Sequence, residues 1–430
     1  MSHAGRLKRG STPDLSSNNP LADEPPDGGK PATPPHIQCD VTSQQRQNDA
    51  AKTTIEAPDG GIRAWLVVLG AWCTSFCSFG WINSVGVFQE YYQTKMLQGY
   101  SASTISWIPS LQIFFMMGMY GFACSQRLTT IYKGPVIGVL YDKFGPRHLI
   151  FVALNTISGW FDKRRGAAFG ILATGSSLGG VIFPIMVSRL IAQVGFGWAM
   201  RVSAFLILGL LIVANFTVKQ FQRPKARPLS FRNFCIPFTE IKFLALTIGL
   251  LLFTFGLYVP INYIPVEAAA AGMPPHLVEY LVPILNAASL FGRAGSGFIA
   301  DKMGRYNIFI IVCYVTGIWI LALWIPAATT AARVAFSALF GFFSGAYVAL
   351  IPALVVQISP FPEIGFRTGL VFFACSFGGL TTNPISGALL EQSSGWLGAK
   401  IFAGVFCLVG TCFVLVARMH HTGMHMRSVF

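Results

Sequence analysis

Ten apolar runs of about 20 residues or more, joined by short loops, fill the sequence between residues 65 and 418. A helix needs about 20 apolar residues to cross the hydrocarbon core of a bilayer. Helices suit that core because they satisfy all their backbone hydrogen bonds internally. The sequence therefore predicts an all-α integral membrane protein with ten spans. The predicted spans are Trp65–Phe88, Ile105–Cys124, Ala167–Val194, Trp198–Val218, Phe243–Ile264, Leu277–Ala300, Ile308–Pro326, Arg333–Ile358, Gly365–Leu390 and Leu397–Arg418.

The composition supports a membrane protein and argues against several other classes. Charged residues make up 11% of the chain and apolar residues 53%, whereas a soluble domain carries about 25% charged residues. The nine cysteines lie mostly in apolar runs, and their spacing predicts neither a disulfide framework nor a metal site. We expect no cofactor. The net charge of +14 is spread over short clusters between apolar runs, which does not favour nucleic acid as a partner.

The distribution of charge predicts the orientation. The loop Lys219–Lys242 holds six basic residues and one acid, Glu240. All the basic clusters fall on one side if both termini are cytoplasmic, as the positive-inside rule requires. The predicted organisation is a disordered cytoplasmic tail (1–57), a first helix bundle (58–218), a basic linker (219–242), a second bundle of six helices (243–418) and a cytoplasmic tail (419–430).

One short motif occurs twice, each time after an apolar run. "GVLYDKFGPRH" begins at Gly138 and "GFIADKMGRYN" begins at Gly297. Internal duplication of a helical bundle is a common construction among secondary transporters. The glycines permit close helix contact and a tight turn. The aspartates can accept hydrogen bonds from the N-terminus of a neighbouring helix or pair with a nearby basic residue, which predicts a latch that closes in one state and opens in another. The predicted latch residues are Gly138, Asp142, Lys143, Gly145, Arg147, Gly297, Asp301, Lys302, Gly304 and Arg305.

The doubled motif resembles the signature of the major facilitator superfamily. Three further stretches, "PDGGIRAW" from Pro58, "WFDKRRGAAFGILATGSSLGG" from Trp160 and "NPISGALL" from Asn383, are similar to the monocarboxylate porter family of fungi. This resemblance extends over about Pro58 to His421. It implies two six-helix bundles, a central cavity and alternating access. The motif residues it marks are Asp59, Gly60, Lys163, Arg164, Arg165, Gly170 and Gly175.

The chain is too short for that fold in one place. In a major facilitator two helices separate the first latch motif from the "FDKRRG" loop, but here only His148–Phe161 lies between them. These 14 residues would extend about 21 Å as a helix, less than the roughly 30 Å of the hydrocarbon core. We therefore predict that the third helix and most of the fourth are absent. An erroneous gene model or splice product is the hypothesis that this gap suggests.

Arg293 is the leading candidate for contact with a substrate, because ionisable residues inside spans are costly and commonly functional. It matches the arginine that the family uses to hold a carboxylate; bonding to helix ends near the latch is the alternative. Asn83 and Ser289 stand where animal members of the family carry a lysine and an aspartate, which removes two proposed proton carriers. Four other arginines near span ends, Arg189, Arg201, Arg333 and Arg367, are predicted to snorkel to the interface. The predicted substrate contacts are Arg293, Asn83, Asn286, Tyr258 and Asn262.

The function that the resemblance implies is secondary transport of a small organic acid or an acidic secondary metabolite, and the family analogy alone implies that it is directed outward across the plasma membrane. Its partners would be the lipid bilayer and that metabolite, with protons as a further candidate. The alternative is a membrane protein that does not transport, either a sensor or an inactive truncated product. An enzyme is disfavoured, since the sequence has no Ser/His/Asp set, no HExxH motif, no paired membrane aspartates and no nucleotide-binding loop.

Overall fold

The computed structural model describes residues 58–84, 88, 91–97, 99–100, 102–123, 156–219, 231–360, 363–392 and 395–422. The helices, in chain order, are α1 (Ile62–Ser75), α2 (Ala102–Ala123), α3 (Arg165–Thr217), α4 (Phe231–Thr239), α5 (Ile241–Ala270), α6 (Pro275–Met303), α7 (Arg305–Trp319), α8 (Thr330–Gln357), α9 (Ile364–Glu391) and α10 (Gly395–Thr422). Helix α1 continues as a π-helical turn over Phe76–Gly80 and α7 over Ile320–Trp324, while Tyr92–Met96 forms a separate π-helical turn.

The all-α prediction is confirmed, and each predicted span overlaps a helix of the described residues. Within the described ranges, seven helices are long and apolar enough to cross a membrane, namely α1, α3, α5, α7, α8, α9 and α10. Helix α3 includes two predicted spans, because its backbone leaves helical geometry at Gly195, where φ is 79°. A residue with a side chain rarely adopts this φ, so glycine allows the sharp change of direction there.

The apolar residues on the outside of the second half of α3 identify a face toward lipid. Phe205, Leu208, Ile212 and Phe216 are all exposed, and Phe216 is 77% accessible. Their spacing of three and four residues places them on one side of a helix. Exposing such a stripe to water would be unfavourable, so this helix face fits the interior of a bilayer. The protein is a multi-pass membrane protein.

Two long seams bring the first helices against the later ones. Helix α3 packs along α6, and α2 packs along α9. Small residues let the first pair approach closely: a Cβ added at Gly170 would lie 2.7 Å from the carbonyl oxygen of Arg293. A Cβ added at Gly297 would meet the backbone of Gly166. Close backbone approach through glycine is typical of packed membrane helices.

Candidate functional site

The start of α3 is held by a carboxylate that lies just before α1. Asp59 Oδ1 accepts hydrogen bonds from the backbone N–H groups of Asp162, Lys163 and Arg164, at 2.6, 2.9 and 3.4 Å. The Asp59 N–H in turn donates to the carbonyl of Trp160. Free N–H groups at a helix start need such acceptors. The "PDGG" and "FDKRRG" motifs, about 100 residues apart in the sequence, are therefore one structural unit.

A second carboxylate reaches the same helix start from α6. Asp301 Oδ1 accepts the N–H of Gly166 and Oδ2 accepts the N–H of Ala167, both at 2.8 Å. Arg305 donates to Asp301 Oδ1 at 3.1 Å and to the Asp162 carbonyl at 2.8 Å. These bonds close the α3–α6 seam at the end of the bundle where α3 begins, which we call the basic end.

The remaining latch and motif residues differ in their surroundings. Gly304 has φ of 94° at the turn from α6 to α7, and Lys302 is exposed. Arg165 forms an ion pair with Asp162 at 3.1 Å, whereas the Lys163 and Arg164 side chains are exposed. A Cβ at Gly175 would meet the carbonyl of Trp72 on α1, and one at Gly60 would meet nothing. The first copy of the latch, Gly138, Asp142, Lys143, Gly145 and Arg147, lies outside the described residues.

Arg293 lies in the middle of α6 and binds across the seam to α3. It is 9% exposed. Its Nη1 donates to the Ala173 carbonyl at 2.9 Å and to the Ser176 hydroxyl. No ion pair forms between Arg293 and any carboxylate in the described part of the chain. Its Nε is buried and has no hydrogen-bond partner among the described residues. A buried cation that lacks a counter-ion favours a negatively charged ligand.

Two of the other predicted contacts meet each other at the far end of this seam. Asn286 Nδ2 on α6 donates to Asn83 Oδ1 at 3.1 Å, and a Cβ at Gly180 of α3 would lie 2.6 Å from the Asn286 side chain. Between this pair and Arg293, the hydroxyls of Ser177 and Ser289 are 2.6 Å apart. Helices α3 and α6 are therefore hydrogen-bonded at three levels, through Asp301 at the basic end, through Arg293 and through Ser289.

Tyr258 and Asn262 belong to α5 and contact the other seam, which α2 and α9 form. Asn262 Nδ2 donates to Asn383 Oδ1 at 2.7 Å, and Asn383 Nδ2 donates to Ser110 Oγ on α2 at 3.1 Å. The Tyr258 hydroxyl lies 4.0 Å from the sulfur of Met117. The five predicted contacts thus form two sets, one beside each seam.

A small cavity of about 30 Å³ lies between α1 and α3 on one side and α8 and α9 on the other. Its walls are mainly apolar and aromatic, with two hydroxyls. They include Phe79, Phe169, Phe372, Ser75, Ala173 and Ser176. Ala173 and Ser176, the two residues that accept hydrogen bonds from Arg293, both belong to this wall. Binding sites for small organic molecules commonly combine an apolar lining with a few polar groups.

Two ion clusters correct the prediction that Arg333 and Arg367 snorkel to the interface. Arg333 is 8% exposed and binds Glu267 Oε2 at 3.2 Å, and Lys400 binds Glu267 Oε1 at 3.1 Å. Arg367 is 2% exposed and binds Glu240 and Glu363. The prediction was wrong because nearby carboxylates neutralise these arginines inside the bundle. The Arg367 hydrogen bonds lower the pKa of Glu240 below its ordinary value.

Ser176 and Glu267 had not been identified from the sequence. Ser176 is one of several small residues in a glycine-rich helix, and nothing in the pattern distinguishes it. Glu267 and Lys400 did carry a signal, since each is an ionisable residue at the end of an apolar run. Their partnership joins residues 133 positions apart and requires the tertiary fold.

The fold and the buried interface between two sets of helices define a helical membrane transporter. Residues 152–336 match the Major Facilitator Superfamily. The chain is 51% identical to the MFS transporter asaE of Aspergillus flavus over 408 residues, which include 85% of this chain and 89% of that one. It is 45% identical to the Fujikurins efflux protein of Gibberella fujikuroi over 445 residues, 94% of this chain and 93% of that one. The chain belongs to the Major Facilitator Superfamily.

A solved structure agrees with this assignment at the level of the fold. The human organic anion transporter MFSD10 superposes with a TM-score of 0.59 at 11% identity, over 83% of this chain and 100% of that one. The family and the named relatives identify the protein as a membrane transporter of small molecules.

Proposed function

We propose that this protein exports an acidic secondary metabolite by alternating access, with Arg293 as the group that holds the substrate's carboxylate. The observation that carries the proposal is the buried Arg293, which donates hydrogen bonds to two neutral oxygens, both from residues that line an apolar cavity. A guanidinium binds a carboxylate through two parallel hydrogen bonds. The export direction is supported by the similarity to the fujikurin efflux protein.

The aromatic residues of the cavity wall favour a substrate larger than a simple short-chain acid, and the cavity of about 30 Å³ must widen during the transport cycle to admit it. Phe79, Phe169 and Phe372 offer aromatic surface, and Ser75 and Ser176 offer hydroxyls. Aromatic side chains bind apolar and aromatic groups through large buried areas. The proposed substrate class is therefore an acid with a substantial apolar or aromatic body.

The monocarboxylate-porter type is part of this proposal. Its support is the contact of the "PDGG" aspartate, Asp59, with the "FDKRRG" loop. Asn83 and Ser289 are uncharged, and Asn286 and Ser177, to which they are hydrogen-bonded, are uncharged as well. This arrangement supports a cycle in which those two positions carry no proton.

The plasma membrane, with both termini in the cytosol, is the proposed location. In this orientation the basic end of the bundle faces the cytosol, together with the linker that contains six basic residues. Asp301 and Arg305 then form the cytoplasmic latch, and Asn83 and Asn286 meet toward the outside.

The proposal that two helices are missing is supported by the alignments. The alignment with the Aspergillus flavus transporter extends over 408 residues but includes 85% of the 430 residues here, or about 366, which leaves about 42 positions without a counterpart. The alignment with the fujikurin efflux protein includes 94%, or about 404, of its 445, which leaves about 41. About 40 residues is the length of two spans. This deficit favours a second candidate: a truncated product that does not transport.

The test is metabolite profiling of the source organism after deletion of the gene, comparing medium with cell extract. We expect an acid to accumulate in the cells and decrease in the medium. A gene restored to full length with the relative's 41 or so additional residues should reverse this change. In that restored gene, Arg293→Lys should reverse it in part and Arg293→Met should not reverse it. Reversal by the restored gene but not by this chain would establish the truncated product. An unchanged profile in the deletion strain would refute export.

A further inference from the structure

The bonds that hold Arg293 come from the helix across the seam and not from its own helix. Arg293 belongs to α6, whereas both acceptors of its Nη1, the Ala173 carbonyl and the Ser176 hydroxyl, belong to α3. All three residues are buried. The position of the guanidinium therefore depends on the contact between the two helices.

The Ser176 hydroxyl acts toward Arg293 as an acceptor. Its own proton is donated to the Ala173 carbonyl at 2.8 Å, so its lone pairs remain for the guanidinium. This is a neutral acceptor for a full positive charge. The Arg293–Ser176 bond has only one charged partner, whereas a carboxylate adds the attraction of an opposite charge and accepts two parallel hydrogen bonds from a guanidinium. A carboxylate that reaches this place would bind Arg293 more strongly than Ser176 does.

We propose that Ser176 is a placeholder for the substrate's carboxylate: it occupies Arg293 in the empty transporter and is displaced when an anion binds. This inference rests on the proposed role of Arg293 and adds a residue that regulates the same site. The placeholder satisfies a buried charge while the site is empty, because an uncompensated charge in a membrane is costly. Its neutrality ensures that a carboxylate can replace it.

Displacement of Ser176 also links the ligand to the seam. The Arg293–Ser176 bond lies between the Asp301 contacts with Gly166 and Ala167 and the Ser177–Ser289 contact. When the substrate takes over Nη1, α3 and α6 lose a bond in the middle of their interface. Binding of the anion thus weakens the contact that must open for the transporter to change state.

The experiment measures ligand binding to the full chain in lipid nanodiscs. The probe is 2-naphthoate, and 2-naphthamide is its uncharged match. We expect Ser176→Ala to bind 2-naphthoate about 2- to 10-fold more tightly than wild type, the range that the loss of one competing hydrogen bond gives. Binding of 2-naphthamide should not change. Ser176→Thr keeps the hydroxyl and should behave as wild type.

A second variant tests the same idea without reliance on a gain in affinity. Ser176→Asp supplies a permanent carboxylate for Arg293, so it should lose 2-naphthoate binding while its unfolding temperature stays at or above that of wild type. If Ser176 instead positions Arg293 for the substrate, Ser176→Ala will bind 2-naphthoate more weakly.

The outcomes separate this inference from the function on which it rests. If wild type prefers 2-naphthoate, the anion site stands. The placeholder alone is then overturned if Ser176→Ala binds 2-naphthoate no more tightly than wild type, or if Ser176→Asp binds it normally. A wild type without preference for 2-naphthoate over 2-naphthamide overturns the proposed anion site itself.

Discussion

Asp59 and Asp301 bind the same helix start from two different parts of the chain. Asp59 accepts the N–H groups of Asp162 and Lys163 at 2.6 and 2.9 Å, and Asp301 accepts those of Gly166 and Ala167, both at 2.8 Å. The two carboxylates thus share the free donors at the start of α3. Asp59 precedes α1, which packs against α3, whereas Asp301 belongs to α6 across the seam. One fixes the helix start, and the other fixes the seam.

Substitution of Asp301 should therefore open the seam at the basic end. Asp301→Asn keeps one acceptor oxygen but loses the charge that binds Arg305 and the helix start. We expect a loss of about 1–2 kcal/mol of stability, the usual cost of a lost helix cap. A cysteine placed at buried Ala300, in a background without native cysteines, should react faster with maleimide in this variant.

Asp59→Asn provides the matched control for the seam. It should cost a similar amount of stability but leave the maleimide reactivity at position 300 unchanged, because Asp59 does not reach α6 through these bonds. Lys302→Gln, at an exposed neighbour of Asp301, should alter neither quantity. Equal reactivity in Asp301→Asn and Asp59→Asn would contradict the assignment of Asp301 to the seam.

The close approach of α3 and α6 predicts the effect of a single methyl group at Gly170. The new Cβ in Gly170→Ala would lie 2.7 Å from the Arg293 carbonyl oxygen, so the helices must separate. Overpacking of this kind costs about 1–3 kcal/mol, and we expect a lower unfolding temperature and slower transport by a full-length version.

Gly209→Ala is the control, since a Cβ at that position of the same helix meets nothing within 4 Å. Alanine is favoured over glycine in a helix by up to about 1 kcal/mol, so this variant should unfold at the same or a higher temperature. A loss of stability in Gly209→Ala equal to that in Gly170→Ala would argue against the seam as the cause. The measurement is thermal unfolding in detergent.

The helices were predictable because a bilayer accepts few alternatives. An apolar run of 20 residues between basic loops must span, and the predicted spans Ala167–Val194 and Trp198–Val218 left Gly195 between them. The resemblance of the "PDGG" and "FDKRRG" stretches to a family marked Asp59 and Arg165, but not the contact that joins their loops. Their approach depends on the packing of α1 against α3, which short-range patterns do not encode.

The predictions for charged residues succeeded or failed according to their partners. Asp301 was predicted to accept hydrogen bonds from a helix start, and it accepts those of Gly166 and Ala167. Arg333 and Arg367 were predicted to reach water, and both are buried. The partner of Arg333 is 66 residues away in sequence and the main partner of Arg367 is 127 residues away. A carboxylate that close in space cannot be inferred from a single apolar run.

Glu267 should be the residue whose loss most destabilises the later helices. It is the carboxylate that binds both Arg333 and Lys400, and all three residues are less than 9% exposed. Removal of one partner of a buried ion pair costs about 3–5 kcal/mol, because a charge remains without compensation. Glu267→Gln leaves two buried cations, and we expect a marked decrease in unfolding temperature.

A double variant separates the charge from the shape of the side chain. Glu267→Gln with Lys400→Met removes one of the two cations and should recover part of the lost stability. Glu279→Gln, an exposed acid at the same end of the bundle, should change the unfolding temperature little. If the double variant is less stable than Glu267→Gln alone, electrostatics is not the cause.

The Glu240–Arg367 contact predicts a dependence of stability on pH. The hydrogen bond from Arg367 is the largest influence on Glu240 and lowers its pKa from the ordinary value of 4.5, while burial opposes this shift. A carboxyl whose pKa is lower in the folded state stabilises the fold above its unfolded pKa. This stabilisation is lost as the pH falls through the folded pKa. At pH values below 4.5, we therefore expect the unfolding temperature of wild type to decrease more steeply with falling pH than that of Glu240→Gln.

The comparison of the two proteins isolates this one carboxyl. At neutral pH, Glu240→Gln should be the less stable of the two, because buried Arg367 keeps only Glu363 as an ion-pair partner. As the pH decreases below 4.5, protonation removes the same charge from wild type, and the two unfolding temperatures should converge. A difference that stays constant between pH 7 and pH 3 would show that the substitution Glu240→Gln acts through packing. A convergence that begins above pH 5 would show that the carboxyl has a raised pKa in the fold, which the bond from Arg367 does not allow.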